Sequence, residues 1–112
     1  MLSYPRHLEY FELSPGRYPF REWLLGLRDA TVRHRIEIRL RKLELGNPGH
    51  WRSLGAGLIE LKEDFGPGYR LYLAEDQGAL VVLLAGGTKR TQAKDIALAK
   101  SYWILRQANR GR

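Results

Sequence analysis

From Ile59 to Leu73 apolar residues recur at alternate positions on both sides of Gly66-Pro67-Gly68, with Glu63 as the exception. A period of two belongs to a strand that lays one face on a core. The triplet between the two runs is a tight turn, so the stretch specifies an antiparallel hairpin. A three-residue turn pairing Phe65 with Tyr69 sets Leu61 opposite Leu73 and Lys62 opposite Tyr72. Ile59, Leu61, Phe65, Tyr69, Leu71 and Leu73 then share a core face interrupted only by Glu63, while Glu60, Lys62, Asp64, Arg70 and Tyr72 share the polar face. A bulge would move one strand by one residue, so the reading rests on the alternation, which holds on both strands.

The remaining segments fit around this hairpin. Ala79 to Gly86 (ALVVLLAG) is apolar without alternation, as expected of a central strand buried on both faces, and Glu75 to Gly78 is the turn that leads into it. Leu8 to Leu13 reads as a short strand ending at Ser14-Pro15-Gly16. Pro19 suits a first helical position, with Phe20, Trp23, Leu24 and Leu27 on one face. Asp29 is a natural N-cap for a second helix, whose stripe Val32, Ile36, Leu40 and Leu43 runs until Gly46-Asn47-Pro48-Gly49. Its other face, with Arg33, Arg35, Arg39, Arg41 and Lys42, reads as solvated, and Glu37 is spaced to pair with Arg41. His50 to Gly57 reads as loop. Thr91 is placed to cap a last helix carrying Asp95 in its first turn and Ile96, Ala99 and Trp103 on its apolar stripe, with a frayed basic tail from Asn109 to Arg112. Trp23 and Trp103 lie on apolar stripes and read as core. The order is strand, two helices, a three-strand antiparallel meander and a helix. That is an α+β fold in one domain over residues 1–112.

Charge narrows the partners. Nineteen Lys and Arg against twelve Asp and Glu give a net +7, which favours an acidic partner such as nucleic acid, although a folded acidic protein fits the same balance. The chain has no cysteine, and His7, His34 and His50 are far apart, so neither a disulfide framework nor a metal centre is expected, and no cofactor. No run approaches the roughly 18 apolar residues of a membrane span. Met1 to Glu9 carries Pro5, Arg6 and Glu9 where an export signal would be apolar. A cytoplasmic protein without membrane contact is the expectation.

The polar face of the hairpin is the candidate site. Lys62, Arg70 and Tyr72, with Lys89 on the loop beyond the central strand, are chemically suited to RNA. Metal-free cleavage requires a 2′-hydroxyl made nucleophilic, charge stabilised on the transferring phosphate, and a proton given to the leaving oxygen. Arg and Lys supply the second need. Tyr72 is suited either to stack on a base or to carry a proton, and Asp64 or Glu60 either to act as base or to pair with Arg70 and Lys62. His50 is a further acid or base, and Trp51 either stacks on a base or packs in the core. A solvated sheet face would show the same alternation of charges.

The stretches GLIELKEDFGPGYRLYL, Gly57 to Leu73, and VVLLAGGTKRTQAKDIALAKSYW, Val81 to Trp103, together with FREWLLGL at Phe20 to Leu27, resemble the phage-derived host-killing branch of RelE/HigB toxins. The resemblance implies a RelE-like fold and the toxin of a type II toxin–antitoxin pair, a ribosome-dependent endoribonuclease that cuts translated mRNA without a metal. It also implies a helix-turn-helix antitoxin that neutralises the toxin and carries it to operator DNA. The family's functional positions fall on Lys62, Arg70, Tyr72, Lys89 and Gln92, of which Lys62, Arg70, Tyr72 and Lys89 are the catalytic candidates; Lys62, Arg70, Lys89 and Gln92, with Arg90 beside them, are the RNA-binding candidates. Lys62 stands where many relatives have arginine, which keeps the charge but loses the fork that grips a phosphate at two points. ParE-like toxins, which inhibit DNA gyrase by protein binding, share the fold and are the alternative.

Overall fold

The computed structural model describes residues 4–110. Its strands are β1 (His7–Tyr10), β2 (Trp51–Gly55), β3 (Leu58–Glu63), β4 (Tyr69–Glu75) and β5 (Leu80–Thr88), and its helices α1 (Pro19–Gly26), α2 (Ala30–Glu44) and α3 (Gln92–Arg110). One mixed sheet has the order β1-β5-β4-β3-β2. The last four strands in sequence form an antiparallel meander, and β1 returns alongside β5 in parallel.

Two separate cores hold the layers together. On one face Phe20 and Leu24 of α1 and Ile36, Leu40 and Leu43 of α2 pack on Ile59, Leu61, Leu71 and Leu73. On the other, Ala99 and Trp103 of α3 pack on Leu58, Tyr72, Ala74, Val82 and Leu84. β5, flanked by strands on both sides and helices on both faces, is buried from Val81 to Ala85, which accounts for its unbroken apolar run. Gly86 and Gly87 then let both layers close in. A Cβ on Gly86 would lie 2.1 Å from the Trp23 ring of α1, and one on Gly87 would lie 1.8 Å from the Asp95 carboxylate of α3.

The helices start as their residues require. Pro19 opens α1, and the Asp29 carboxylate accepts from the Thr31 N–H at the start of α2. The Thr91 hydroxyl donates to Asp95, one turn into α3, after a single 3-10 turn over Lys89–Thr91.

Six expectations are corrected. The segment expected as loop, His50 to Gly57, contains β2, a short edge strand whose Arg52 and Ser53 are exposed; pairing with β3 holds it, so it carries no apolar run to betray it. The hairpin register is shifted by two: Lys62 lies opposite Arg70 and Glu63 opposite Tyr69, because the turn also takes in Asp64 and Phe65. A shift of two leaves every residue on its face, so the separation of faces stands. The polar face is not open, since α3 covers much of it: Tyr72 is fully buried and Glu60 and Arg70 nearly so. Arg39 belongs to the buried side of α2, where it forms an ion pair with Glu63, the residue that breaks the apolar face of β3. Asn109 and Arg110 are the last residues of α3 rather than a frayed tail, while Gly111 and Arg112 lie outside the described residues. The first strand is also shorter than expected, closing at Tyr10.

Candidate functional site

Register brings the site together. With Lys62 directly opposite Arg70, two cations stand side by side on the α3 face of the hairpin. Next along β3, Glu60 faces Arg52 across the β2 edge, and the first residue of α3, Gln92, reaches down to the same carboxylate. His50, Trp51, Arg52, Glu60, Lys62, Arg70 and Gln92 line one open cleft of about 310 Å³. Its ionic lining is three cations and one carboxylate.

Glu60 is the organising group. Its side chain is 5% exposed and accepts from Arg52 Nε at 3.0 Å and Gln92 Nε2 at 2.8 Å. Burial by itself would raise its pKa; the hydrogen bonds from Gln92 and Arg52 and the neighbouring Tyr72 hydroxyl outweigh it, and the carboxyl is held below its ordinary range. A carboxylate so stabilised is a weak proton acceptor near neutral pH. Its arrangement suits fixing Arg52 and Gln92 in place. Of the pairings expected of Asp64 or Glu60, the one between Asp64 and Lys62 is found, at 3.4 Å, while among the described residues no ion pair joins Glu60 to Lys62 or Arg70.

Arg70 carries unused donors. Nη1 bonds the carbonyl of its neighbour Tyr69 at 3.2 Å, Nε is buried without a hydrogen-bond partner, and no carboxylate among the described residues forms an ion pair with it. Lys89 stands next to it. The Lys89 N–H donates to the Gly68 carbonyl at 2.7 Å, and Gly68, at φ +77°, is bordered by Arg70 Nη1 and Lys89 Cβ, which a methyl there would meet at 3.2 and 3.5 Å. Lys89 and Arg90 are exposed on the 3-10 turn, Lys89 beside the cleft rather than lining it; no contact ties Arg90 to the cleft.

Tyr72 is where expectation and structure part. Its ring is sealed in the second core, so in this conformation it cannot stack on a base, and its hydroxyl is buried without a hydrogen-bond partner of good geometry. Burial, then the adjacent Glu60 charge, push the phenol well above its ordinary pKa, which keeps the proton on the oxygen. The proton-carrying alternative is compatible with that state. Trp51 packs partly against the first core, and Trp103 is buried with its indole N–H on the Ala56 carbonyl at 2.7 Å; Trp23 is half-buried. Arg52 is the lining residue that sequence reasoning missed. Its signal is the alternation of Trp51 with Arg52, which puts the Trp on the core side and a cation opposite Glu60.

Among the described residues no group of three or more His, Asp or Glu is arranged to hold a metal ion, and no helix is long and apolar enough to cross a membrane.

Fold and site define an α+β protein with a five-stranded mixed sheet and a basic cleft beside its central hairpin. No family model and no solved structure matches the chain. A Haemophilus influenzae protein described as uncharacterized is 44% identical to it over 81 residues, 72% of this chain and 82% of the relative. The chain belongs to the same family as that Haemophilus protein.

Proposed function

We propose that the protein is the toxin of a type II toxin–antitoxin pair with a RelE-like fold, acting in the cytoplasm as a ribosome-dependent, metal-independent mRNA endoribonuclease and neutralised by a helix-turn-helix antitoxin. The observation that carries the reading is the pairing of Lys62 with Arg70. Like charges directly opposite in an antiparallel pair destabilise it, and here one of the two is buried. Such an arrangement is relieved by an anion, and with Lys89 adjacent it forms a cradle for a phosphate. The resemblance of the Gly57–Leu73 and Val81–Trp103 stretches to RelE/HigB toxins supports the same reading.

In this scheme Arg70 and Lys62 hold the scissile phosphate and stabilise its developing charge, with Lys89 and Arg90 on flanking phosphates. Gln92, anchored on Glu60, presents its amide oxygen to the RNA. Proton transfer falls to His50, which lines the cleft, with the Tyr72 hydroxyl, buried in the second core, as the alternative.

The test is mapping of transcript 5′ ends within minutes of induction in bacteria, beside folded Arg70→Ala and Lys89→Ala variants. New ends inside translated codons, present with the parent and absent with the variants, are expected. Growth arrest without new ends, accompanied by DNA-damage signalling, would instead identify a gyrase-directed toxin.

A further inference from the structure

A buried guanidinium outside the cleft holds two of the residues that line it. Arg39 lies at the spacing of the α2 core stripe, three residues after Ile36 and four before Leu43, and is 8% exposed. Its planar fork reaches the end of the β2–β3 pair, where the ladder runs out of partners for its carbonyls. Nε and Nη2 donate to the Pro48 carbonyl at 3.1 and 2.8 Å, and Nη2 also donates to the His50 carbonyl at 2.6 Å. Nη1 donates to the Lys62 carbonyl at 2.8 Å and to Glu63 Oε1 at 2.7 Å. The Lys62 N–H closes the loop by donating to the His50 carbonyl at 3.3 Å.

We infer that Arg39 is a positioning residue for the cleft, one that fixes the separation between the His50 imidazole and the Lys62 ammonium and so sets the geometry of proton transfer at the bound phosphate. The inference rests on the endoribonuclease reading. Without Arg39 the segment Pro48–His50 has no side-chain anchor on this face, and His50, exposed at the start of an edge strand, is free to leave the cleft. Lysine cannot replace it, because a single ammonium has no planar fork with which to span carbonyls on two strands and a carboxylate at once. Lys62 is still held by its strand pairing with Arg70, and among the described residues no hydrogen bond joins Arg39 to Arg70 or Lys89, so the grip on RNA is largely kept. Cleavage therefore suffers where binding does not, since misplacement of a reacting group lowers turnover far more than affinity.

Two variants approach the clamp from opposite sides. Arg39→Lys removes the fork. Gly49→Ala leaves Arg39 in place but presses on it from the loop: the new Cβ would meet Arg39 Nε, Cζ and Nη2 at 3.0 to 3.1 Å, at a backbone φ of +66°. Each is compared with the parent for single-turnover cleavage of mRNA on ribosomes and for binding of a 2′-deoxy-substituted RNA that cannot be cut, with circular dichroism confirming the fold. The expected result is cleavage slowed at least about tenfold in both variants, RNA affinity within about threefold of the parent, and a shifted pH profile of the remaining activity. Parental cleavage and an unmoved pH profile in either folded variant would overturn the positioning role while leaving the enzyme reading intact. If the parent itself cuts no RNA, the enzyme reading fails and the positioning role falls with it.

Discussion

Gln92 Nε2 lies 2.8 Å from Glu60 Oε2, joining the first turn of α3 to the middle of β3 across 32 residues of chain. The bond makes the cleft wall a shared product of sheet and helix, and its strength depends on Glu60 being ionised. Because the folded carboxyl titrates below its ordinary value of 4.5, Glu60 contributes stability that is complete above that value and is lost as pH falls through the lower folded pKa. Glu60→Gln should lower stability by roughly 1 to 2 kcal/mol at neutral pH. Denaturant melts at a series of pH values should show parent and variant converging on acidification; a constant gap would remove the carboxylate's charge from the account.

The opposed cations predict a trade of stability for function. Lys62→Gln relieves the repulsion with Arg70 at the cost of a surface ion pair with exposed Asp64, which is worth little. The variant should melt at or above the parental temperature, with a gain on the order of 0.5 kcal/mol, yet lose toxicity and RNA binding. Inorganic phosphate or RNA should raise the parent's Tm and leave the variant's nearly unchanged. A variant that is clearly less stable than the parent would contradict the reading of this pair.

Tyr72→Phe separates packing from chemistry. The ring is core, and the hydroxyl it would lose makes no hydrogen bond of good geometry, so stability should change by less than about 0.5 kcal/mol. If the hydroxyl carries the proton, cleavage should slow by at least roughly a hundredfold with RNA affinity intact. Parental cleavage rates would take Tyr72 out of the reaction and leave it as part of the second core.

Gly87→Ala tests the approach of α3 to the sheet. The added methyl would overlap the Asp95 carboxylate and crowd Thr91 Oγ1 at 3.0 Å, displacing the start of α3 and Gln92 with it. Overpacking of this kind costs about 1 to 3 kcal/mol. Thermal melts should show the loss, and cleavage should fall further than stability alone explains.

Much of this was legible beforehand where a periodic signal and a burial requirement coincided. The hairpin alternation assigned each residue of β3 and β4 to its face, and that survived a register error because the error was an even number. The apolar run of β5 announced a central strand. What stayed hidden depended on partners distant in the chain. β2 is held chiefly by backbone pairing to β3, with only Trp51 and Leu54 partly buried, so its composition looks like loop. Arg39 passes for one more cation on a solvated helix face and Glu63 for a stray acid on an apolar one, and only their ion pair shows what each does. The polar face of the hairpin has the pattern of a wet one, because nothing in its local sequence says that a helix starting beyond Thr91 will fold back over Tyr72.

The parallel pairing of His7 with Leu80 has a bearing on how the chain is made. β1 has no neighbour in the sheet until β5 has followed it out of the ribosome, and the wall of the cleft is incomplete until Gln92 emerges. Contacts of such long sequence separation are late events in folding. The cleft of a nascent chain therefore stays incomplete until the start of α3 has followed all five strands out of the ribosome.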